Sequence, residues 1–306
     1  MAEIILPEVE MNIYSPKDPV EVEVVENYIV TKESSPNIVR HITFDVSGTD
    51  LENRIRVGQS VGILPPGEDE TGRPHKLRLY SVSSPSKGEH GKQHLVSTTV
   101  KRTIEELENK LYLGVASNYL SDLRPGDKVM MTGPSGKRFL LPQNAREYNY
   151  LFFATGTGIA PYRGMIKELF EEPFHNECVL IFGCSYRTDL LYAGYFEETN
   201  RKYENFHYLK SISREERRRD GSKFYVQSQL EDEEELLEPI LKKENTLIYI
   251  CGMKGMEIGI YKQLVRLNLT EYVQIRKELP DSLDDIPSDK FKRYIKPADR
   301  TFEEVY

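Results

Sequence analysis

Two folds in tandem are predicted for this 306-residue chain: an antiparallel β-barrel over residues 1–143, then a doubly wound α/β domain with a parallel sheet over 144–306. Three observations carry that reading. Up to about residue 143, short β-branched and apolar runs alternate with turns rich in Pro and Gly. From residue 149 onward, apolar strands alternate with amphipathic helical stretches. The length is long for one hydrophobic core and comfortable for two.

In the first part the predicted strands are 22–31, 38–46, 59–64, 94–100 and 128–132, with a further short strand over 78–81. Between them lie Pro65-Pro66-Gly67, Ser84-Pro85-Ser86-Lys87-Gly88 and Arg124-Pro125-Gly126-Asp127, all strong turn formers. Strands this short, at this spacing, form a small barrel or sandwich. In the second part, strands 150–154, 179–184, 206–211 and 247–251 are each followed by a helical stretch, at 161–170, 190–200, 226–241 and 255–267. That alternation is the pattern of a parallel sheet whose ligands sit at the carboxyl ends of its strands. The acidic run 231–235 is read as a helix opening, where its charges suit the dipole.

Composition excludes several classes. Apolar residues at 39% and charged residues at 29% are those of an ordinary globular protein. No run of eighteen apolar residues is present, so no membrane span is expected. The first ten residues are acidic and lack the features of a secretory or transit leader, which points to a bacterial cytoplasm. Cys178, Cys184 and Cys251 form neither a CxxC pair nor a disulfide framework, in keeping with a reducing compartment. No metal site is expected. A net charge of −8 argues against nucleic acid as a partner. Two local basic stretches stand out: Arg73 to Arg78 carries +3, and Ile286 to Arg300 holds five basic against two acidic residues.

Two motifs carry chemistry. Arg78-Leu79-Tyr80-Ser81 places a cation, a ring and a hydroxyl on one short strand, a set able to hold a phosphate, stack on a flat ring and bond its edge. Gly156-Thr157-Gly158-Ile159-Ala160-Pro161 is a glycine turn between an apolar strand and a helix, a common way to meet a nucleotide phosphate. Either motif alone has an ordinary structural explanation; together they point to a flavin in one half, a nicotinamide dinucleotide in the other, and electron transfer between them. Cys251-Gly252 ends the fourth strand of the second half, where such sheets bind ligands, so Cys251 is more than a buried thiol. Ser213, Arg214, Lys223 and Tyr225 follow the third strand. They offer two positive charges, hydroxyls and a ring, suited to a 2′-phosphate and its adenine, with no acidic residue placed to read a ribose diol.

These segments, in order, resemble the plant-type ferredoxin–NADP⁺ reductases. The likeness rests on Gly58-Gln59-Ser60-Val61-Gly62, on Gly67-Glu68-Asp69 through Ser81, on Val100-Lys101-Arg102 and on Gly114-Val115-Ala116-Ser117-Asn118. It continues with the glycine turn, Ser213-Arg214-Glu215, Lys223 with Tyr225 and Gln227, Cys251 to Met256, and Glu304-Val305-Tyr306. The final tyrosine points to the plant and cyanobacterial branch. The resemblance implies a barrel that binds FAD non-covalently, then an NADP(H)-binding domain. It implies that Arg78 and Leu79 meet the flavin cofactor, with Arg78 on its pyrophosphate, and that Tyr80 and Tyr306 take the two isoalloxazine faces. Ser81 falls beside N5. Thr99, Val100 and Gly114 to Ser117 fall among the FAD contacts, with Gly114 to Ser117 on the phosphates. Lys101 and Thr157 fall to the dinucleotide, and Cys251 and Glu304 to the nicotinamide pocket. Ser81, Cys251, Glu304 and Tyr306 are thus the catalytic set, and Ser213, Arg214, Lys223, Tyr225 and Gln227 bind the adenosine end.

Three departures from the family pattern are visible. Thr99 and Ala116 stand where cysteines are usual, and Glu105 stands where a tyrosine stacks on the FAD adenine; Tyr112 is a candidate replacement. The segment Leu279 to Arg300 is longer than usual, and its basic character suits contact with a partner. The expected activity is hydride exchange with NADP(H) and single-electron exchange with ferredoxin or flavodoxin, by a monomer. Two rivals are a reductase for another one-electron acceptor, such as a haem or Fe–S oxygenase, and a flavin-bearing sensor without turnover.

Overall fold

The computed structural model describes residues 3–306 and divides into two compact units. One comprises Leu6–Gln143 with Ala160–Glu172; the other comprises residues 3–5, Asn144–Ile159 and Pro173–Tyr306.

The first unit is the antiparallel barrel. Its strands are β1 (Val20–Ile29), β2 (Val39–Asp45), β3 (Ser60–Leu64), β4 (Arg78–Ser81) and β5 (Leu95–Lys101). After β5 come a hairpin of β6 (Ile104–Leu107) and β7 (Lys110–Leu113), helix α1 (Val115–Asp122) and β8 (Lys128–Ser135). The sheet order is β4-β3-β8-β1-β2-β5, and an antiparallel bridge between Val82 and Thr98 joins the two edges. In β1 the period of two is plain: Val22 and Val24 are buried while Glu21 and Glu23 are not. Val22, Val24, Ile42, Phe44, Val61 and Ile63 belong to the barrel's core, and Leu120 of α1 packs into it. The turn Arg124-Pro125-Gly126-Asp127 follows the helix, with Gly126 at a positive φ.

The second unit holds a five-stranded parallel sheet. It starts with β9 (Asn149–Thr155), after which the glycine turn leads into α2 (Ile159–Leu169), which from Ala160 onward is grouped with the first unit. It continues through β10 (Cys178–Cys184), α3 (Ala193–Lys202), β11 (Phe206–Ile212), α4 (Gln229–Asp232), α5 (Glu234–Leu241), β12 (Thr246–Gly252) and α6 (Met256–Arg266). A small ladder of β13 (Val273–Ile275) and β14 (Ile295–Pro297) precedes the last strand, β15 (Thr301–Val305). The order β11-β10-β9-β12-β15 places the switch in chain direction between β9 and β12, where a parallel sheet opens a crevice at its carboxyl end. β9, β10 and β12 are buried along nearly their whole length, as central parallel strands must be. One sheet face stacks Tyr150, Phe152, Tyr249 and Phe302; the other sends Leu151, Phe153, Ile248 and Ile250 into a separate apolar core.

The stretch expected as one helix over 226–241 is broken at Glu233, whose φ of −117° and ψ of 34° are not helical. The acidic run therefore straddles two short helices. Glu234 and Glu235 still lie in the first turn of α5, where the dipole favours them. All six barrel strands and the four expected parallel strands form. The fifth parallel strand, β15, and the β6–β7 hairpin are additions.

Candidate functional site

In the barrel unit, β4 lies antiparallel to β3, with Tyr80 opposite Val61 and Ser81 opposite Ser60. Arg78 and Leu79 are exposed, and Tyr80 and Ser81 are half-buried. Burial pushes the Tyr80 phenol up to about 12, against the pull of the nearby Arg78 charge. Tyr80 is thus a neutral ring packed onto the barrel core, with a cation two residues away. The Ser81 carbonyl accepts the Thr98 hydroxyl at 2.9 Å, tying β4 to β5. Thr99 and Val100 are buried within the sheet, and Lys101 is exposed.

A second cluster forms where β5 runs out and α1 begins. Gly114 precedes the helix, and its N–H donates to the Thr103 carbonyl at 3.0 Å. A methyl group on Gly114 would lie 2.7 Å from Ser117 Oγ and 2.8 Å from Thr103 Cβ, so only glycine fits there. Ser117 Oγ accepts from the Thr103 N–H at 3.1 Å and donates to the Gly114 carbonyl at 3.2 Å. Arg102 and Asn118 lock the same corner through a 2.8 Å bond. The Ser117 hydroxyl therefore shapes the turn that opens α1. The helix starts at Val115, earlier than Asn118, the start expected from sequence. Leading into it, the hairpin sets Tyr112 directly opposite Glu105, with the ring more than half exposed.

In the parallel-sheet unit, the expected residues converge at the carboxyl ends of β9, β12 and β15. Gly158 of the turn lies so close to β12 that a Cβ would fall 2.2 Å from the Cys251 carbonyl oxygen. Gly252 has φ +148°, and a side chain there would meet Thr155 Oγ1 at 2.2 Å. Two glycines thus let the turn after β9 pack directly against the end of β12, an approach that any other residue would block. Cys251 is fully buried, and burial with the nearby Glu304 charge pushes its thiol well up, so it is an uncharged thiol at the end of β12 rather than a thiolate. Glu304 is its register partner on β15.

Tyr306 is no frayed tail. Its N–H donates to the Gly252 carbonyl at 3.1 Å, its carbonyl accepts from Lys254 N–H at 2.9 Å, and its hydroxyl meets Thr157 Oγ1 at 2.6 Å. Tyr306 as a whole residue is 59% exposed, while burial raises its phenol well above the usual tyrosine value, so the hydroxyl end is shielded at Thr157.

At the end of β11, Ser213 extends the ladder through its N–H to the Cys184 carbonyl at 2.9 Å. Arg214 is exposed, and its guanidinium donates to the Tyr186 hydroxyl at 2.9 Å while lying 5.4 Å from that ring's centre. Tyr186 was not anticipated from sequence; an aromatic two residues beyond a strand end was the available signal. Lys223 and Tyr225 are exposed nearby in chain, with Lys223 bridged to Arg217. The Gln227 amide lies over Gly259 of α6, where a methyl group would come within 2.9 Å. The neighbouring cations are already used: Arg218 pairs with Glu231 and Asp232, and Arg187 with Glu216.

The comparisons with known proteins agree with this geometry. Residues 152–262 match the family model described as an oxidoreductase NAD-binding domain. The chain is 41% identical over 265 residues to a ferredoxin–NADP reductase of Spirulina, covering 83% of this chain and 88% of that protein. It is 37% identical over 303 residues to the chloroplastic ferredoxin–NADP reductase of Mesembryanthemum crystallinum, covering 97% and 78%. Among solved structures, a ferredoxin–NADP⁺ reductase of Plasmodium falciparum superposes with a TM-score of 0.71 at 25% identity, over 97% of this chain and 99% of that one. Identity at this level over most of both chains places the sequence plainly: it belongs to the ferredoxin–NADP reductase family.

Proposed function

We propose that this chain is an FAD-dependent reductase that exchanges hydride with NADP(H) and single electrons with ferredoxin, and that flavodoxin serves as an alternative partner. The observation that carries the reading is the convergence of Thr157, Cys251, Glu304 and Tyr306 at the turn after β9 and the ends of β12 and β15, which the close approach of Gly158 and Gly252 makes possible. The residues present fit both cofactors. The start of α1 at the Gly114 corner and the exposed Arg78 suit a pyrophosphate, and Tyr80 offers a neutral ring for stacking. The glycine turn Gly156–Gly158 ahead of α2 and the Arg214–Tyr186 pair suit a dinucleotide with a 2′-phosphate.

Bound FAD would take an electron pair from the nicotinamide and release electrons singly; the chain's own contribution is placement. Arg78 would anchor the flavin cofactor through charge-assisted bonds, Tyr80 would support the ring, and the Ser81 hydroxyl would serve at its reactive edge. Lys101 and Thr157 hold the dinucleotide, while Cys251 and Glu304 shape the pocket that orients the nicotinamide. Tyr306 occupies the nicotinamide position and yields it by breaking its bond to Thr157. Barrel residues 1–143 are the FAD domain and 144–306 the NADP(H) domain. Among the described residues no helix is long and apolar enough to cross a membrane, and the proposal includes a cytoplasmic monomer.

The test is a comparison of acceptors. With NADPH as donor, the purified flavoprotein should reduce ferredoxin faster than a haem or Fe–S oxygenase component. The reverse ranking would assign it to a different electron-transfer chain.

A further inference from the structure

Glu303 is the residue in the last strand that the proposed function leaves unused, and its surroundings are unusual. Its side chain is 19% exposed, and each carboxylate oxygen has its own partner: Oε1 takes the Lys292 ammonium at 2.7 Å and Oε2 takes the Tyr261 hydroxyl at 2.6 Å. Tyr261 is fully buried on α6. Lys292 belongs to the long segment before β15 and follows Phe291, which is fully buried in the apolar core with Ile295. The same segment is tied to α6 by Asp284, which pairs with Lys262 at 2.9 Å and Arg266 at 2.7 Å. A carboxylate in this position is costly unless both oxygens are satisfied, and an apolar side chain would serve β15 as well for burial alone.

The network also returns to the site. Lys292 lies 4.0 Å from Glu257, which is 2% exposed, and Glu257 accepts the Gly255 N–H at 2.6 Å. Next to Gly255, the Lys254 N–H holds the Tyr306 carbonyl. Tyr306 is thus reached from two directions: along β15 from Glu303, and through the Lys254-Gly255 turn from Glu257.

We propose that Glu303, with Lys292 and Tyr261, is a positioning unit through which the segment Leu279–Arg300 braces β15 and sets how readily the nicotinamide displaces Tyr306. This rests on the reading that Tyr306 occupies the nicotinamide position. Without the brace, β15 loosens, the ring spends less time at Thr157, and NADP⁺ binds more tightly while its release slows.

The test uses the full-length FAD-loaded protein and four variants: Glu303→Gln, Tyr261→Phe, Tyr306→Ser and the double Glu303→Gln/Tyr306→Ser. Glu303→Gln and Tyr261→Phe should each speed amide exchange in the peptide 301–306. Each should also tighten NADP⁺ binding about fivefold, the size expected for a half-exposed ion pair, and less than Tyr306→Ser does. The double variant should bind NADP⁺ no tighter than Tyr306→Ser alone, because the brace acts through that ring. Slower or unchanged exchange at 301–306, unchanged NADP⁺ affinity in both brace variants, or additive tightening in the double variant would each overturn the proposal. If Tyr306→Ser itself leaves NADP⁺ affinity unchanged, the underlying reading of Tyr306 fails, and the brace falls with it. If Tyr306→Ser tightens binding and the brace variants do not, the brace alone is wrong.

Discussion

Replacing Arg214 and Lys223 together by alanine should collapse the preference for NADPH over NADH. The Arg214 guanidinium is held ready by the Tyr186 hydroxyl at 2.9 Å and by the tyrosine ring beneath it. Three neighbouring cations are already engaged: Arg218 on Glu231 and Asp232, Arg217 on the Ser213 and Glu216 carbonyls, Arg187 on Glu216. Two charge-assisted hydrogen bonds are worth about 1.5–3 kcal/mol each, so losing both amounts to roughly 10² to 10⁴ in affinity. Both side chains are exposed, which places the outcome near the lower end, about 10². The assay is steady-state turnover with each dinucleotide. The KM for NADPH should rise by about that factor, with kcat and the NADH parameters little changed. Unchanged discrimination, or an equal loss with NADH, would show that the phosphate is read elsewhere.

Three further outcomes follow from the same geometry. Tyr306→Ser should tighten NADP⁺ binding by about tenfold and slow turnover with NADPH, since a stacked aromatic is worth about 0.5–1.5 kcal/mol beyond its area; equilibrium binding and stopped-flow release rates measure this. In the barrel unit Glu89, 1% exposed, takes a two-pronged bond from Arg163 at 2.7 and 2.9 Å and lies 3.6 Å from His41, so Glu89→Gln should cost about 3–5 kcal/mol in denaturant unfolding. Burial raises the Glu89 carboxyl, but bonds from His41 and Arg163 outweigh it and hold its pKa below the usual value of 4.5; burial lowers that of His41 below 6.5. Both shifts are downward, so their stability is complete above about pH 6.5. It is lost on acidification, first as His41 protonates in the unfolded chain and then below about 4.5 through Glu89; a midpoint that rises on acidification from pH 7 to 5 would contradict this. Lastly, ferredoxin association should fall steeply with ionic strength if Arg73, Lys76, Lys290 and Arg293 steer it, and a salt-independent on-rate would remove these patches from docking.

Most of the fold was legible because its signals are local. The alternation Val22-Glu23-Val24 marks a half-buried strand, and the solid apolar run Leu247 to Cys251 marks a central parallel one. The β6–β7 hairpin was not visible, because its turn uses Glu108 and Asn109 at positive φ instead of a glycine pair. β15 was hidden for another reason: Thr301 to Val305 carries two acids, and it is a strand only because β12 offers it an edge and Glu303 finds Lys292 and Tyr261. The site was partly legible. Thr157 and Cys251 could be placed at strand ends from the chain alone, Glu304 only through the family resemblance, and the glycines flanking the first two prove to be steric requirements. What the sequence could not show was long-range pairing: Tyr186 under Arg214, the Ser117 hydroxyl turned onto Thr103, and the Leu279–Arg300 segment sending Leu283, Ile286, Phe291 and Ile295 into the core while Lys292 grips the last strand.

The most direct measurement is an anaerobic absorbance titration of the purified protein, first with NADPH and then with oxidised ferredoxin. The account predicts a bound-flavin spectrum that NADPH bleaches and ferredoxin restores, with one NADPH consumed for every two ferredoxins reduced. A protein that carries no flavin, or one whose flavin NADPH leaves oxidised, would contradict it.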